Sequence, residues 1–532
     1  MPRFNLSVAG TLRLARPEPP DIWSDVKDAL VHGAKCLQRI IKDDPPLTNV
    51  PFDEDCLFLD IYMPKYKNES HALVPTMMFI HGGGFYGGTG ALYNFTNVAL
   101  RGVAVVSINY RLDVFGFLST LDETIPGNFG LLDQVLALEW VKNNIANFGG
   151  DPQKVTLFGG SAGSLSASIL TLSPLTRGKF QGAIMQSAVA LCAYSHQSKE
   201  TVYEAPREVA RQLGQLLNCS LLEGEFSAQL LECIRSRPGD VIINQSVILQ
   251  EETYYGSTIY SPVLENVFGV LPDTPLHLVD SKDKVYIPTI SGYTTHDGSW
   301  LVSDPNNKGF SLEEFKLYMK AFIERMFLPR YHESLLKKAL DGYLPANASE
   351  LSRFELRDIL VTALTDAFDV ACTIDEASRF TAGAENSRSF VFEFNHRPSY
   401  SANPAWMGVA HADEKGFVLG LPVGPDPFMY PSHSQGDLEV ADLVVTTWTN
   451  FAKFGNPTPE PVHNITWSSF TQQDQNVLVL SETPKVKKFD RPVALEVWLV
   501  DNGHHHNLGV HPREGSHFIV SMLLLGFFFH RF

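Results

Sequence analysis

The 532-residue sequence has six cysteines but no C-x-x-C pair, so it lacks the spacing of a zinc ribbon or a thioredoxin-like redox site. Positive charge is also scarce, because 42 lysines and arginines are outnumbered by 59 aspartates and glutamates, which gives a formal net charge of −17. Phosphate binding requires clustered lysines and arginines, so nucleic acid is not expected as a partner. Hydrophobic residues make up 44% and charged residues 19%, a balance that excludes a disordered chain.

The two ends of the sequence show neither a typical signal peptide nor an apolar segment long enough to span a bilayer. The N-terminal segment MPRFNLSVAGTLRLARPEPP has no apolar core of the length that a signal peptide needs. Near the other end, residues 518–529 (FIVSMLLLGFFF) are apolar, but a bilayer span takes about 20 residues. A short apolar end after a polar spacer, with small residues at 501–503, resembles a GPI-anchor signal. A last strand or helix, or an error in gene prediction, fits this tail equally well.

Features typical of an extracellular chain are nevertheless present. The number of cysteines is even, which suits a disulfide-bonded protein. Seven N-x-[ST] triplets provide potential glycosylation sites, at Asn5, Asn68, Asn94, Asn218, Asn244, Asn347 and Asn464. Together these features predict a secreted or cell-surface glycoprotein.

Apolar runs typical of buried strands alternate with helical patterns, and no repeat or low-complexity tract interrupts them. The strand candidates are 57–63, 76–80, 103–110, 154–158, 182–186, 286–293 and 389–394. Residues 130–148 have apolar side chains at three- and four-residue spacing, and 200–380 are mostly helical in pattern. Alternation of this kind predicts an α/β fold with a large, mostly parallel sheet, in which 200–380 form a helical elaboration and not a separate domain.

A glycine-rich stretch joins a predicted strand to a predicted helix. Residues 158–164 read FGGSAGS, between the strand candidate 154–158 and the helix candidate 164–172. Gly159, Ser161 and Gly163 fit the pattern G-x-S-x-G, in which glycines permit a sharp turn and the serine hydroxyl is lifted above the sheet. A plain glycine-rich connection with a serine helix cap is the alternative, but the strand–turn–helix setting favours a nucleophile.

A second glycine-rich stretch supplies what a serine nucleophile needs. The sequence His81-Gly82-Gly83-Gly84 follows the strand candidate 76–80, and successive glycines leave backbone N–H groups free to bind an oxyanion. In α/β-hydrolases the chain order is then serine, acid and histidine. Two later stretches fit this order, SGYTTHDG at 291–298 and PAWMGVAHADE at 404–414.

Longer motifs in the same order resemble the type-B carboxylesterase/cholinesterase family, from about residue 13 to Trp498. They are EDCLFLDIYMP (54–64), NYRLDVFGFLS (109–119), the long segment 127–164, WMGVAHADEKGFVLGLP (406–422) and FAKFGNPTP (451–459). The resemblance implies an α/β-hydrolase fold with a helical cap. Residues 1–505 would form one domain and 506–532 a polar spacer with a short hydrophobic tail. Because the family's early hairpin is not found, the N-terminal edge strands are expected to be missing.

The resemblance also implies the roles of particular residues. Ser161 would be the nucleophile, His411 the general base and Asp297 the orienting acid, in place of the family's usual Glu; the adjacent His296 is not expected to be catalytic. Aspartate is one methylene shorter but can still accept the imidazole N–H. The oxyanion would be bound by the backbone N–H groups of Gly83, Gly84 and Ala162. This chemistry requires no cofactor and no metal.

The cysteines align with the family as well. The resemblance implies a bridge between Cys36 and Cys56 and another between Cys219 and Cys233. Cys192 and Cys372 are left over, and they are either free or bonded to each other.

Two departures bear on the substrate. Cholinesterases carry a tryptophan in the loop that corresponds to residues 36–56, and a glutamate immediately before the nucleophile. Here that loop has no tryptophan, and Gly160 precedes Ser161. An aromatic face, best from tryptophan, binds quaternary ammonium groups, so without one the expected small-molecule substrate is a neutral, fairly apolar ester. The alternatives are a cholinesterase, a lipase, and a non-catalytic cholinesterase-like adhesion or binding protein.

Overall fold

The computed structural model describes residues 10–22, 24–26, 28–39, 50–64, 72–194, 199–222, 224–253, 259–327, 329–382, 388–421 and 433–499. The predicted tail 506–532 and the triplets at Asn5 and Asn68 lie outside the described residues.

Eleven strands form within this part of the chain. They are β1 (Lys35–Cys36), β2 (Phe52–Asp53), β3 (Leu59–Tyr62), β4 (Val74–Ile80), β5 (Ala104–Ile108), β6 (Gly150–Gly160), β7 (Gly182–Gln186), β8 (Thr289–Thr294), β9 (Ser389–Phe394), β10 (Asn476–Leu480) and β11 (Lys485–Lys488). Strands β1 and β2 pair with each other, and the other nine form one sheet in the order β11-β10-β9-β8-β7-β6-β4-β5-β3. All seven predicted strands are therefore confirmed.

The sheet is parallel from β10 to β5, and the two outermost strands, β11 and β3, run antiparallel to their neighbours. The prediction of a mostly parallel sheet is confirmed. Because the carboxyl ends of parallel strands meet at one edge, the segments that follow β4, β6, β7 and β8 converge there.

Helices flank this sheet and fill most of the region from 200 to 380, as predicted. They are α1 (Thr96–Ala99), α2 (Asp113–Phe117), α3 (Phe129–Asn144), α4 (Ala162–Leu172), α5 (Ala190–Tyr194), α6 (Lys199–Leu216), α7 (Phe226–Ser236), α8 (Gly239–Ile248), α9 (Pro275–Asp280), α10 (Leu312–Met326), α11 (His332–Tyr343), α12 (Arg353–Thr365), α13 (Ala371–Thr381), α14 (Lys415–Val418), α15 (Gln435–Phe454) and α16 (Pro492–Trp498). One π-helical turn, Asp366–Val370, joins α12 to α13. No helix in the described ranges is long and apolar enough to cross a membrane.

Side-chain alternation along the strands places a core on each face of the sheet. On β4, Met77 and Phe79 belong to the cluster that includes the apolar face of α15, whereas Met78 and Ile80 belong to the cluster with α3 and α4. A third cluster lies among α10, α11, α12 and α16. The central strands are thus buried on both faces, which explains their nearly continuous apolar runs.

Three disulfides connect the described residues: Cys36 with Cys56, Cys219 with Cys233, and Cys192 with Cys372. The first two are the pairs that the resemblance implied. The third answers the question that the sequence left open, and it joins α5, just after β7, to α13.

Candidate active site

Ser161 lies at the sharp turn between β6 and α4. Its φ of +56° is uncommon for a residue with a side chain, and backbone strain of this kind is concentrated at functional sites. The flanking glycines are required by space, because a Cβ atom on Gly163 would lie 2.0 Å from the carbonyl oxygen of Ile80, and one on Gly159 would lie 2.5 Å from it. The glycines thus allow β4 and α4 to approach the turn that presents the hydroxyl.

Gly160 is different from its glycine neighbours. A Cβ atom there would meet nothing nearer than Oε1 of Glu414, at 3.7 Å, which is ordinary van der Waals contact. This position can therefore hold a larger residue, and its glycine leaves space between the Ser161 turn and the His411 loop.

The glycine loop after β4 lies directly against the turn. A Cβ atom on Gly82 would be 3.1 Å from Cβ of Ser161, and Gly83 and Gly84 have φ angles of +116° and +59°. Within the described part of the chain, the N–H groups of Gly83, Gly84 and Ala162 donate no hydrogen bond. Three free donors beside a serine hydroxyl have the properties of an oxyanion-binding site.

Asp297 and His411 form a hydrogen-bonded pair at the same edge of the sheet. Nδ1 of His411 lies 2.5 Å from Oδ1 of Asp297. The other carboxylate oxygen, Oδ2, accepts hydrogen bonds from the hydroxyl of Ser187 at 2.6 Å and from the N–H of Thr294 at 3.0 Å. Asp297 has no exposed surface, so its charge is stabilised by these donors and not by water.

The charges of this pair shift each other's pKa. Burial raises the pKa of Asp297, but the charge of His411 and the hydrogen bonds to the carboxylate lower it by more, so the net shift is downward. Burial lowers the pKa of His411, but the charge of Asp297 and the hydrogen bond to it raise it by more, so the net shift is upward. The structure thus favours an ionised Asp297 and stabilises a positive charge on His411.

Ser161 and His411, both in the described part of the chain, make no direct hydrogen bond with each other in this structure. Their loops are nevertheless neighbours, since Glu414, three residues after His411, reaches the Gly160 position. Catalytic hydrogen bonds are often long without substrate and tighten only when it binds. The structure therefore brings Asp297 to His411 and the loop of His411 to Ser161.

His296 has a structural role. Its ring atom Nδ1 accepts a hydrogen bond from the N–H of Val409, and its own N–H donates to the carbonyl of Val409. A Cβ atom on Gly408 would lie 2.4 Å from the same ring atom. This residue thus fixes the loop that carries His411.

Two aromatic rings flank His411. The ring of Trp300 lies 6.0 Å from that of His411 and the ring of Phe368 lies 5.9 Å from it, while the two rings meet edge to face. Trp300 is 45% exposed, so one side of the approach to His411 is apolar and open to solvent.

Sequence reasoning missed several residues that surround the triad. Ser187 directly follows β7 and has a φ of +57°, and Glu414 is buried with its pKa raised to about 7, chiefly by burial. The position of Ser187 at the carboxyl end of a parallel strand is a signal that could have identified it. Glu414 and the ring of Phe368 gave no such local signal.

One described cluster has the spacing of metal ligands. Cys192, Asp369 and Cys372 present ligand atoms within 4.8 Å of one another. Because the two sulfurs are bonded to each other, neither is a thiolate that could bind a metal ion.

Comparison with known proteins shows which family the chain resembles. Residues 3–498 match the carboxylesterase family. The chain is 31% identical to a fatty acyl-CoA hydrolase precursor, medium chain, of Anas platyrhynchos, over 92% of this chain and 85% of that protein. It is 32% identical to human cocaine esterase, over 92% and 84%.

Human neuroligin-2 is also similar, at 29% identity over 94% of this chain. The aligned part is 64% of neuroligin-2, so this chain spans less than two thirds of the length of that relative. The match to the family model over nearly the whole chain, together with the esterase relatives, shows that this chain belongs to the carboxylesterase family and has its α/β-hydrolase fold.

Proposed function

We propose that this protein is a serine carboxylesterase that hydrolyses carboxylic esters through Ser161, His411 and Asp297. The observation that carries the proposal is the strained Ser161 beside three free N–H groups, with the buried Asp297–His411 pair on the neighbouring loop. If the turn had only a structural role, we would expect its backbone N–H groups to be hydrogen-bonded and no histidine–aspartate pair on the neighbouring loop.

In the proposed reaction, His411 accepts the proton of the Ser161 hydroxyl as its oxygen attacks the ester carbonyl. The N–H groups of Gly83, Gly84 and Ala162 stabilise the oxyanion of the tetrahedral intermediate. The imidazolium then gives its proton to the leaving alcohol, and an acyl-enzyme forms. Water, activated by the same imidazole, hydrolyses the acyl-enzyme and regenerates the hydroxyl. Asp297 holds the imidazole in the required tautomer throughout.

The preferred substrate is a small neutral, fairly apolar ester. Trp300 and Phe368 make one wall of the approach to His411 apolar. Gly160 occupies the position where cholinesterases carry a glutamate, so that position supplies no carboxylate for a cationic substrate. Burial raises the pKa of the neighbouring Glu414, which disfavours a negative charge there. Two relatives are named for the hydrolysis of acyl or ester substrates, a fatty acyl-CoA hydrolase and cocaine esterase.

The competing proposal is a non-catalytic adhesion or binding protein. The similarity to neuroligin-2 is the observation that supports this alternative. The residues favour catalysis, because the nucleophile, base and acid positions all hold chemically competent side chains. Nucleic acid is not a proposed partner, given the net charge of −17.

We also propose that the protein is extracellular, either secreted or at the cell surface. Three disulfides suit an oxidising compartment. The acceptor residues of five described triplets are all exposed, namely Asn94, Asn218, Asn244, Asn347 and Asn464. The domain limits 1–505 and 506–532, and membrane attachment through the tail, stay predictions.

The test compares hydrolysis of p-nitrophenyl esters by the wild type, Ser161→Ala and Ser164→Ala. Ser164 is the neighbouring serine, and its hydroxyl donates to the carbonyl of Ala188 instead of facing the site. We expect Ser161→Ala to lose several orders of magnitude in kcat, on the order of 10⁶-fold, and Ser164→Ala to remain within about tenfold of the wild type. A wild type without esterase activity, or an active Ser161→Ala, would contradict the proposal.

A further inference from the structure

The triad lies beside a second buried carboxyl group. Asp369 is in the π-helical turn between α12 and α13, which packs against the turn that begins at Asp297, and it has no exposed surface. π-Helical turns within helices occur frequently at functional sites. This inference rests on the proposed function, since it concerns the acid of the proposed triad.

The two carboxyl groups are held by adjacent residues of one strained turn. After β7, the hydroxyl of Ser187 donates to Asp297 at 2.6 Å, and the N–H of Ala188 donates to Oδ1 of Asp369 at 3.0 Å. Both residues have positive φ, +57° and +106°, although neither is glycine. Such a backbone persists only where surrounding contacts enforce it, so the side-by-side placement of the two acids is built into the fold.

The hydrogen bonds of Asp369 are unevenly divided between its oxygens. Oδ1 accepts from Ala188 and also from the hydroxyl of Thr373 at 2.8 Å. Oδ2 is inaccessible to solvent and has no donor among the described residues. An ionised carboxylate with a bare oxygen in the interior is costly, whereas a proton on that oxygen removes the charge and makes it a donor.

We propose that Asp369 is a positioning residue of the triad, which as a neutral carboxylic acid donates a hydrogen bond from Oδ2 to the Asp297 carboxylate. The proton lies between two like-charged groups that cannot both ionise at close range. Asp297 then has donors on every side: His411, Ser187, Thr294 and Asp369. These contacts fix the orientation of the carboxylate that orients the imidazole.

The charges around Asp369 agree with a neutral acid. Burial raises its pKa well above the usual range, and the charge of Asp297 raises it further, while Thr373 and His411 lower it by less. The Cys192–Cys372 disulfide, 3.9 Å away at the Cys192 sulfur, carries no charge. Asp366, on the same turn, is ion-paired with Arg491.

The test uses the full-length enzyme and two variants. Asp369→Asn stays neutral, has a similar volume and keeps a donor, whereas Asp369→Leu has the same branched shape, is somewhat larger and has no donor. We expect Asp369→Asn to keep kcat/KM within about threefold. Asp369→Leu should lose at least about 10- to 100-fold, because it removes one hydrogen bond to a charged group and also leaves the Ala188 N–H and the Thr373 hydroxyl without their acceptor. Equal activity of Asp369→Leu and the wild type would overturn the proposal.

The pH profile separates a neutral acid from a charged one. Because Asp369→Asn replaces one neutral group by another, the apparent pKa at which kcat/KM falls on the acid side should stay within about 0.3 of the wild-type value. A downward shift of about one unit or more would show that a negative charge had been removed, and the proposal would be wrong.

A spectroscopic measurement keeps the test independent of catalysis and of failed folding. The infrared difference spectrum of wild type minus Asp369→Asn at about pH 8 should contain the carbonyl band of one protonated carboxylic acid, at a pH where ordinary aspartates are ionised. Its absence would overturn the proposal.

Glu376→Gln is the matched control, because Glu376 is a buried acid bound to Ser168 and Leu191, away from the triad. Its pH profile should match the wild type, and an equal shift in both variants would contradict a specific role for Asp369. Failure of Ser161 to act as nucleophile would leave this spectrum unchanged, so the two proposals fail separately.

Discussion

The Nδ1 atom of His411 lies 2.5 Å from Oδ1 of Asp297, although the two residues are 114 positions apart in the chain. The contact fixes which nitrogen of the imidazole carries the proton, and so leaves Nε2 to accept a proton from a hydroxyl.

Removing the charge of Asp297 should stop the reaction with little loss of structure. Asp297→Asn favours the wrong imidazole tautomer, and we expect a fall in kcat of about 10⁴-fold. Asp297→Glu keeps the carboxylate but adds a methylene in a fully buried position, so its loss should be smaller. Steady-state kinetics and thermal unfolding of both variants measure the effect. Equal losses in the two variants would mean that charge is not the function of Asp297.

Activity should be lost on the acid side at a higher pH than an ordinary histidine predicts. The base must be neutral, and the contact with Asp297 raises the pKa of His411, so the imidazolium persists to higher pH. We therefore expect the acid-side apparent pKa of kcat/KM to lie above about 6.5. A value below 6.5 in the wild type would show that Asp297 does not act on His411 as described.

The two glycines on either side of the nucleophile should respond differently to alanine. Gly163→Ala would force a Cβ atom to within 2.0 Å of a backbone oxygen, so we expect loss of folded, active enzyme. Gly160→Ala meets nothing nearer than 3.7 Å and should stay within about tenfold of wild-type kcat/KM. Soluble yield, thermal midpoint and esterase rate distinguish them. Tolerance of alanine at Gly163 would contradict the close approach of β4 and α4.

Substrate choice should follow the apolar wall. The wild type should hydrolyse naphthyl esters with higher kcat/KM than acetylthiocholine. Trp300→Ala should raise KM for naphthyl esters by about tenfold with little change in kcat, because the ring buries apolar substrate and touches no reacting atom. Phe354→Ala, which removes an aromatic ring of similar exposure elsewhere, is the control. Faster turnover of the choline ester would contradict the substrate proposal.

The long-range disulfide should stabilise the fold more than the short one. The pair Cys192–Cys372 closes a separation of 180 residues and Cys219–Cys233 one of 14. The chain-entropy model gives about 5 and about 3 kcal/mol respectively. The double variant Cys192→Ala/Cys372→Ala should therefore have the lower thermal midpoint when compared with Cys219→Ala/Cys233→Ala. The reverse order would show that native contacts and not loop closure decide the effect.

Features formed within one stretch of the chain could be predicted from the sequence. Contacts between residues far apart in the sequence could be predicted only in part. The turn around Ser161 has its strand, glycines and helix within one stretch, so its pattern sufficed. The Asp297–His411 pairing came from resemblance, since no local pattern joins residues so far apart. Strands β10 and β11 were not predicted. The run NVLVL of β10 is as long as several strands that were predicted and was missed, whereas β11 reads KVKK and has no apolar run that could indicate a buried strand.

The residues that surround the triad show the same limit. Asp369 has the ordinary sequence surroundings of a helix, and its proximity to Asp297 arises only when α13 packs beside β8. The Cys192–Cys372 bond likewise depends on the placement of α5 and α13. Such contacts are set by tertiary packing, which composition and spacing do not encode for a single chain.

The most direct test of the central claim is the reaction of the wild type with an organophosphate, followed by mass spectrometry of the intact protein and its peptides. We expect one adduct per chain, located on Ser161, with esterase activity lost in proportion to labelling and no adduct on Ser161→Ala. Labelling that survives in Ser161→Ala, or esterase activity that survives complete labelling of Ser161, would contradict it.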